Sequence, residues 1–263
     1  MELGLKGKVA LVAGASKGLG RAIAEELGAE GCNLVVCART DSAVRAAADA
    51  LAHTHGVRTK AVTATLGMPG EADRVVGEAL GAFGRVDILV TNAGGPPSGP
   101  FEKISREAWH EAVRTLLDSA VDLSRAVLPG MKDRRWGRIL NITSISVKQP
   151  IENLVLSNSI RAAVTGFART LANEVAPYGI TVNNLLPGYT RTERVDELAA
   201  ANSRMRGTEP QAIFAEWERQ IPMGRLGEPQ ELAALAAFLA SERAGYITGT
   251  SIPVDGGWIK GLL

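Results

Sequence analysis

The first chemistry the chain offers lies near its start. Ala13-Gly14-Ala15-Ser16-Lys17-Gly18-Leu19-Gly20 follows an apolar run, Val9 to Ala13, and opens a stretch in which Leu19, Ile23 and Leu27 recur every four residues. Strand, glycine turn and helix start, in that order, make an anion receptor. Glycine lets backbone amides approach closely, and the free N–H groups and dipole of a helix N-terminus favour negative charge. A dinucleotide's pyrophosphate is the ligand that suits this context, with a merely structural tight turn as the alternative. The other reactive side chains offer less. His53-Thr-His55 supplies two ligands in a polar stretch, and two make no metal site, so no metal is expected. Cys32 and Cys37 share one apolar segment and read as small core residues.

These residues need a scaffold, and the hydrophobic pattern provides one. Val9 to Ala13, Leu34 to Val36, Ile88 to Val90, Ile139 to Ile142 and Thr181 to Leu186 are short apolar runs, as expected of strands covered on both faces. Amphipathic helical patterns occupy 41–54, 69–82, 105–129, 157–176 and 229–240 between them, with Pro69 and Pro229 where a first helical turn tolerates proline. Such alternation predicts an α/β fold, a doubly wound parallel sheet with helices on both faces. No linker, repeat or charge block divides it, so one domain over 1–263 is expected. The stretch from Tyr189 to Arg225 is polar and helical in pattern. It is a candidate lid over a site, or else a surface insertion.

Composition narrows the function. The chain has 263 residues, 29 of them basic and 28 acidic, for a formal net charge of +1. That balance lacks the cationic surplus of a nucleic-acid binder or a polybasic membrane-surface protein. The start, Met1-Glu2-Leu3-Gly4-Leu5-Lys6, has no secretory h-region, and the apolar run Leu232 to Ala240 is far short of the ~20 residues of a membrane span. A cytoplasmic protein without nucleic-acid or membrane partners is expected.

The glycine spacing, Gly14-x3-Gly18-x-Gly20, resembles that of the short-chain dehydrogenase/reductase family, and the likeness runs along nearly the whole chain. Asn92-Ala93-Gly94 follows the fourth strand, Pro187-Gly188 the sixth, with Thr192 five residues past the proline. Gly249 and Val254-Asp255-Gly256-Gly257 complete the pattern. By pattern, 3-oxoacyl-carrier-protein reductases are the nearest members. The resemblance implies a Rossmann-type, seven-stranded sheet and a nicotinamide cofactor. It places Gly14, Gly18 and Gly20 around the pyrophosphate and counts Ser16, Lys17 and Leu19 of the same loop among the cofactor-binding residues. Asn92, Ala93 and Gly94 would lie on the adenine-ribose side, and Pro187, Gly188 and Thr192 at the nicotinamide. It also implies a homotetramer packed through the helices at 105–129 and 157–176, where Ala162, Ala163, Gly166 and Ala168 make a small-residue surface.

Cofactor choice follows from charge. A carboxylate at the end of the second strand would bond the adenosine ribose and repel a 2′-phosphate. Ala38 stands there instead, followed by Arg39, with Lys17 in the glycine loop. Two cations without a carboxylate favour NADP(H) over NAD(H). Thr65 is placed at the end of the third strand, where the family usually has an aspartate for the adenine.

At the chemical end the resemblance breaks. The family interconverts a carbonyl and an alcohol with an Asn, Ser, Tyr, Lys set, and Ser144 after the fifth strand matches its serine. Thirteen residues on, Ser157 takes the tyrosine's place, Arg161 the lysine's, and Leu116 the asparagine's. A serine hydroxyl is a far weaker acid than a phenol, and Arg161, a cofactor-binding candidate that could still bond the ribose hydroxyls, cannot shuttle a proton. Tyr189, beside Pro187-Gly188, is a candidate acid or a packing residue. Tyr178 and Tyr246 are badly placed, His110 reads as exposed, and Glu152, ahead of the altered helix, either faces the cleft or is a solvated loop charge. Arg161 with Ser144 and Ser157 could alternatively bind an anionic or carbonyl group. Three hypotheses stay open: an NADP(H)-dependent oxidoreductase of small carbonyl/alcohol substrates with an altered proton-transfer set, a non-catalytic NADP(H)-binding sensor or partner subunit, and a non-redox enzyme on the same scaffold.

Overall fold

Along the first strand, β1 (Val9–Ala13), side chains alternate between two separate cores. Ala10 and Val12 face one, and Val9, Leu11 and Ala13 the other. A strand so covered sits inside a sheet with helices on both faces, and the computed structural model, which describes residues 2–262, has that architecture. The strands β2 (Asn33–Ala38), β3 (Thr59–Thr63), β4 (Ile88–Thr91), β5 (Gly137–Ile142), β6 (Ile180–Pro187) and β7 (Ser251–Val254) join β1 in one seven-stranded parallel sheet of order β3-β2-β1-β4-β5-β6-β7. The expected doubly wound α/β fold is borne out.

Helices α1 (Gly18–Ala29) and α2 (Asp41–His55) cover one face, together with Leu232, Ala233, Ala236, Ala237 and Leu239 of a late helix. On the other face lie α3 (Glu71–Phe83), the long helical run of α4 (Arg106–Ala112), a π-helical stretch Val113–Asp118 and α5 (Ser119–Arg134), and α6 (Val155–Val175). Then come α7 (Glu193–Arg206), α8 (Pro210–Gln220) and the late helix α9 (Pro229–Ala240). The chain runs outward from β1 to β3 and then restarts at β4 on the other flank of β1. The carboxyl ends of β1 and β4 thus flank the crevice in which such sheets bind ligands.

Some local expectations shift. β3 and β7 are the edge strands, only partly covered, so their sequences Thr-Lys-Ala-Val-Thr and Ser-Ile-Pro-Val carry no apolar run. Pro229 begins α9 as expected, but α3 begins at Glu71. Pro69 lies in the preceding turn, and Gly70, at φ 79°, provides the left-handed step into the helix. Thr65 falls two residues past β3, where its N–H donates to Glu71 Oε2 at 3.2 Å. On α6, Ala162, Ala163 and Gly166 are exposed, whereas Ala168 is fully buried against the sheet and belongs to the core, not to the small-residue surface. Among the described residues no helix is long and apolar enough to cross a membrane.

Cys32 and Cys37 are both free and fully buried, and burial pushes each thiol up to about 12. Thiolate is the reactive form. Both thiols therefore resist a thiol-reactive dye at neutral pH in the native protein and react after denaturation. Rapid native labelling of either one would contradict the packing described.

Candidate functional site

The crevice begins with the turn between β1 and α1. Gly14 and Gly18 take left-handed backbone, at φ 60° and 59°. A Cβ on Gly20 would lie 2.4 Å from the Gly14 carbonyl oxygen, and one on Gly14 would lie 2.7 Å from Asn92 Nδ2. These are close approaches that a side chain would block. The α1 N-terminus has no side-chain cap; Lys17 precedes it in extended backbone. Its first amides are therefore free for an anion. Asn92, just past β4, braces the turn by donating to Ala13 O at 3.3 Å and Gly14 O at 3.4 Å. The residues fit a dinucleotide's pyrophosphate: the cradle is one that Cβ atoms would fill.

At the end of β2, Arg39 is exposed and has no ion-pair partner among the described residues. Lys17 is engaged elsewhere. Its ammonium pairs with Glu193, the first residue of α7, which holds it above lysine's usual range. Of the two cations read from the sequence, only Arg39 is uncommitted.

Below the crevice, polar side chains stand in register across four strands. Thr91 Oγ1 donates to Asn141 Oδ1 (2.7 Å), Asn141 Nδ2 to Asn184 Oδ1 (3.1 Å), and Asn184 Nδ2 to Ser251 Oγ (3.0 Å). This ladder satisfies side chains that would be costly if buried alone. It also fixes the strand ends that carry the site.

Ser144 stands just past β5, and its hydroxyl accepts from the Ser146 N–H at 3.1 Å. Ser157 and Arg161 occupy one buried face of α6, one turn apart. Arg161 donates to Ile142 O at 2.8 Å and to Ala93 O at 3.5 Å, so it spans the ends of β5 and β4. Burial, with the like charge of Arg194, lowers its guanidinium to about 10. Leu116 is buried in the π-helical stretch, against Ala112, Leu156 and Ile160.

Past β6, Gly188 N–H donates to Val254 O at 2.9 Å, and a Cβ there would meet Asp255 Cα at 2.8 Å. The Thr192 methyl lies over Gly18, 3.8 Å from where that residue's Cβ would be. Tyr189 turns away from proton chemistry. It stacks on Trp217 of α8 at 4.4 Å and meets Trp258 edge-on at 6.0 Å, and burial pushes its phenol up to about 12. Tyr178 and Tyr246, like His110 and Glu152, lie exposed.

Helices α7 and α8 form a small layer with its own core of Val195, Ala199, Ile213, Trp217 and Leu226. Two contacts tie α7 across the crevice. One is the Glu193–Lys17 pair, and the other runs from Arg194 Nη2 to Pro96 O at 2.7 Å, its guanidinium lying where a Cβ on Gly95 would be. The sequence offered no signal for Glu193 and Arg194, two charges in a polar stretch far from their partners.

The family model described as Enoyl-(Acyl carrier protein) reductase matches residues 14–259. The chain is 38% identical over 255 residues to the 3-oxoacyl-[acyl-carrier-protein] reductase FabG of Vibrio cholerae, covering 97% of this chain and 98% of that protein. Among solved structures, the L-sorbose reductase of Gluconobacter frateurii complexed with NADPH and L-sorbose superposes with a TM-score of 0.94 at 35% identity, over 100% of both chains. An actinorhodin polyketide ketoreductase with NADPH superposes with a TM-score of 0.93 at 32% identity, over 97% of this chain and 98% of that one.

Proposed function

The chain belongs to the short-chain dehydrogenase/reductase family of oxidoreductases, and on that premise we propose that it is NADP(H)-dependent, acts on a small carbonyl/alcohol pair, and has an altered proton-transfer site. The observation that carries this reading is the intact nucleotide cradle: Gly14, Gly18 and Gly20 at an uncapped helix start, braced by Asn92. NADPH in two similar solved structures supports it.

In this reading Gly14, Ser16, Gly18, Leu19 and Gly20 hold the pyrophosphate, and Arg39 meets the 2′-phosphate. Asn92, Ala93 and Gly94 line the adenine-ribose side, and Pro187, Gly188 and Thr192 the nicotinamide. When bound, the cofactor supplies or accepts a hydride. The chain's own residues bind and orient the substrate: Ser144 and Ser157 offer hydroxyls and Arg161 a fixed positive charge. None of the three is an acid near neutral pH. Homo-oligomer formation through the exposed Ala162, Ala163 and Gly166 of α6 belongs to the same reading.

Titration with NADPH and NADH tests the cofactor half directly. NADPH binds more tightly, and Arg39→Ala weakens NADPH by about tenfold while leaving NADH unchanged, the worth of one charge-assisted bond. Equal loss for both nucleotides would place Arg39 away from the 2′-phosphate. The second reading, a nucleotide-binding homologue without turnover, draws on one observation: Tyr189 is committed to the small core of α7 and α8, with burial pushing its phenol up to about 12. NADPH binding without consumption on a panel of ketones and 3-oxoacyl thioesters would favour it.

A further inference from the structure

Just past the carboxyl ends of β1 and β2 the two chain segments still run side by side. Ala13 and Cys37 are partners in the sheet, and the Ala15 N–H donates to Cys37 O at 3.2 Å. Lys17 and Arg39 each lie two residues beyond that bond, so both leave the same edge of the sheet, and Arg39 acts on Lys17 as a like charge. The surroundings of the two cations differ. Arg39 is exposed, and Glu111 of α4, a carboxylate that feels its charge, is held by Arg114 at 2.6 Å. Lys17 is covered from the lid. Its ammonium pairs with Glu193, and Glu197, one turn along α7, adds to the negative potential around it. Glu197 has a partner of its own in Arg194, at 3.3 Å, whereas Glu193 has Lys17 alone among the described residues.

This pair is suited to exchange. The Lys17 and Glu193 side chains are 64% and 66% exposed, so water screens them and the pair adds little to stability. Glu193 has a second resting place. It is the first residue of α7, whose N-cap, Thr192, makes no side-chain bond to the turn, so the helix's own free amides and dipole favour a carboxylate there. Release of Glu193 does not unseat α7. Arg194 still donates to Pro96 O at 2.7 Å, and the small core of α7 and α8 is untouched. A 2′-phosphate is the stronger competitor for Lys17. It carries nearly two charges near neutral pH where Glu193 carries one, and its three oxygens can bond Lys17 and Arg39 together.

We propose that Glu193 is a specificity-determining residue of the nucleotide site. It occupies Lys17 when no phosphate is present, and a 2′-phosphate taken up by Lys17 and Arg39 displaces it and unties α7 from the glycine turn. A nucleotide with a free 2′-hydroxyl leaves the pair intact. Glu193 thus lowers the affinity for NADPH and not for NADH, and the lid responds to the charge of the nucleotide. This inference rests on the reading of the crevice as an NADP(H) site and deepens it.

The test is fluorescence titration of NADPH and NADH into the natural chain, Glu193→Gln, Lys17→Gln and the double variant, with Asp196→Asn as control. Glu193→Gln binds NADPH about threefold more tightly and NADH as before, the scale of one exposed ion pair. In the Lys17→Gln background the same change has no effect, because the pair is already gone. Asp196→Asn removes a carboxylate from the same turn of α7 and changes neither affinity. Hydrogen exchange reads the lid: residues 193–198 exchange faster with NADPH bound than with NADH bound in the natural chain, and equally in Glu193→Gln. That comparison on the natural chain decides the matter without any variant. Unchanged or weakened NADPH binding by Glu193→Gln overturns the proposal. So does an equal gain for both nucleotides, a gain that survives Lys17→Gln or is matched by Asp196→Asn, or equal exchange in the natural chain. Failure of the cofactor reading looks different: the natural chain then binds neither nucleotide, and the proposal falls with it.

Discussion

Replacing Ser157 by Tyr and Arg161 by Lys together raises NADPH-linked ketone reduction by about 10²–10⁴-fold, the usual worth of a positioned general acid. In the proposed reading the chain supplies the cradle, Ser144 at the end of β5, and a helix that presents positions 157 and 161 on one buried face. Positions 157 and 161 themselves carry no group with a pKa in reach of neutrality. A phenol starts near 10 and a neighbouring ammonium lowers it further, whereas an aliphatic hydroxyl stays far above. Adding Leu116→Asn puts an amide into the π-helical stretch beside them and gives a further, smaller gain. The measurement is NADPH consumption on a ketone and 3-oxoacyl thioester panel, with folding and nucleotide binding checked in parallel. A folded, nucleotide-binding variant with no gain would show that the crevice is not arranged for carbonyl reduction and would favour the non-catalytic reading.

Much of the scaffold was legible because burial dictates sequence. The five interior strands must be apolar on both faces, and each was visible as an apolar run. The edge strands were not, since Thr59–Thr63 and Ser251–Val254 need only partial cover. The glycine cradle was legible for the same kind of reason: a backbone approach of 2.4 Å admits one residue type, so Gly20 marks itself. The chemical end was legible only by place. Counting from Ser144 located Ser157 and Arg161, but nothing in the spacing says that Arg161 is buried without a counter-charge, because that depends on which carbonyls the ends of β4 and β5 present. The commitment of Lys17 to Glu193, 176 residues away, and of Tyr189 to Trp217 are likewise products of topology. The π-helical stretch at Val113–Asp118 hides within an otherwise helical period.

Gly20→Ala abolishes NADPH binding at concentrations that saturate the natural chain, a loss of about 100-fold or more. Two opposing effects meet at this residue. It lies in the first turn of α1 with ordinary helical backbone, and propensity alone favours alanine there by about 1 kcal/mol. Sterics decide the other way. The new Cβ would meet Gly14 O at 2.4 Å, Gly14 C at 2.8 Å and Asn92 Nδ2 at 2.8 Å. Two of those atoms are backbone and cannot rotate aside, so the turn must open or α1 must shift. Overpacking of this kind costs about 1–3 kcal/mol, enough to reverse the propensity gain. Either movement also breaks the Asn92 bonds to Ala13 O and Gly14 O and pulls the first-turn amides off the anion. Losing two charge-assisted bonds at about 1.5 kcal/mol each gives the stated factor. Gly77→Ala is the matched control. It lies within α3, and its Cβ would meet nothing within 4 Å, so there the propensity gain stands and stability rises. Thermal melts and fluorescence titration of both variants read the two effects apart. A Gly20→Ala protein that binds NADPH as the natural chain does would mean that the turn between β1 and α1 is not the nucleotide's seat.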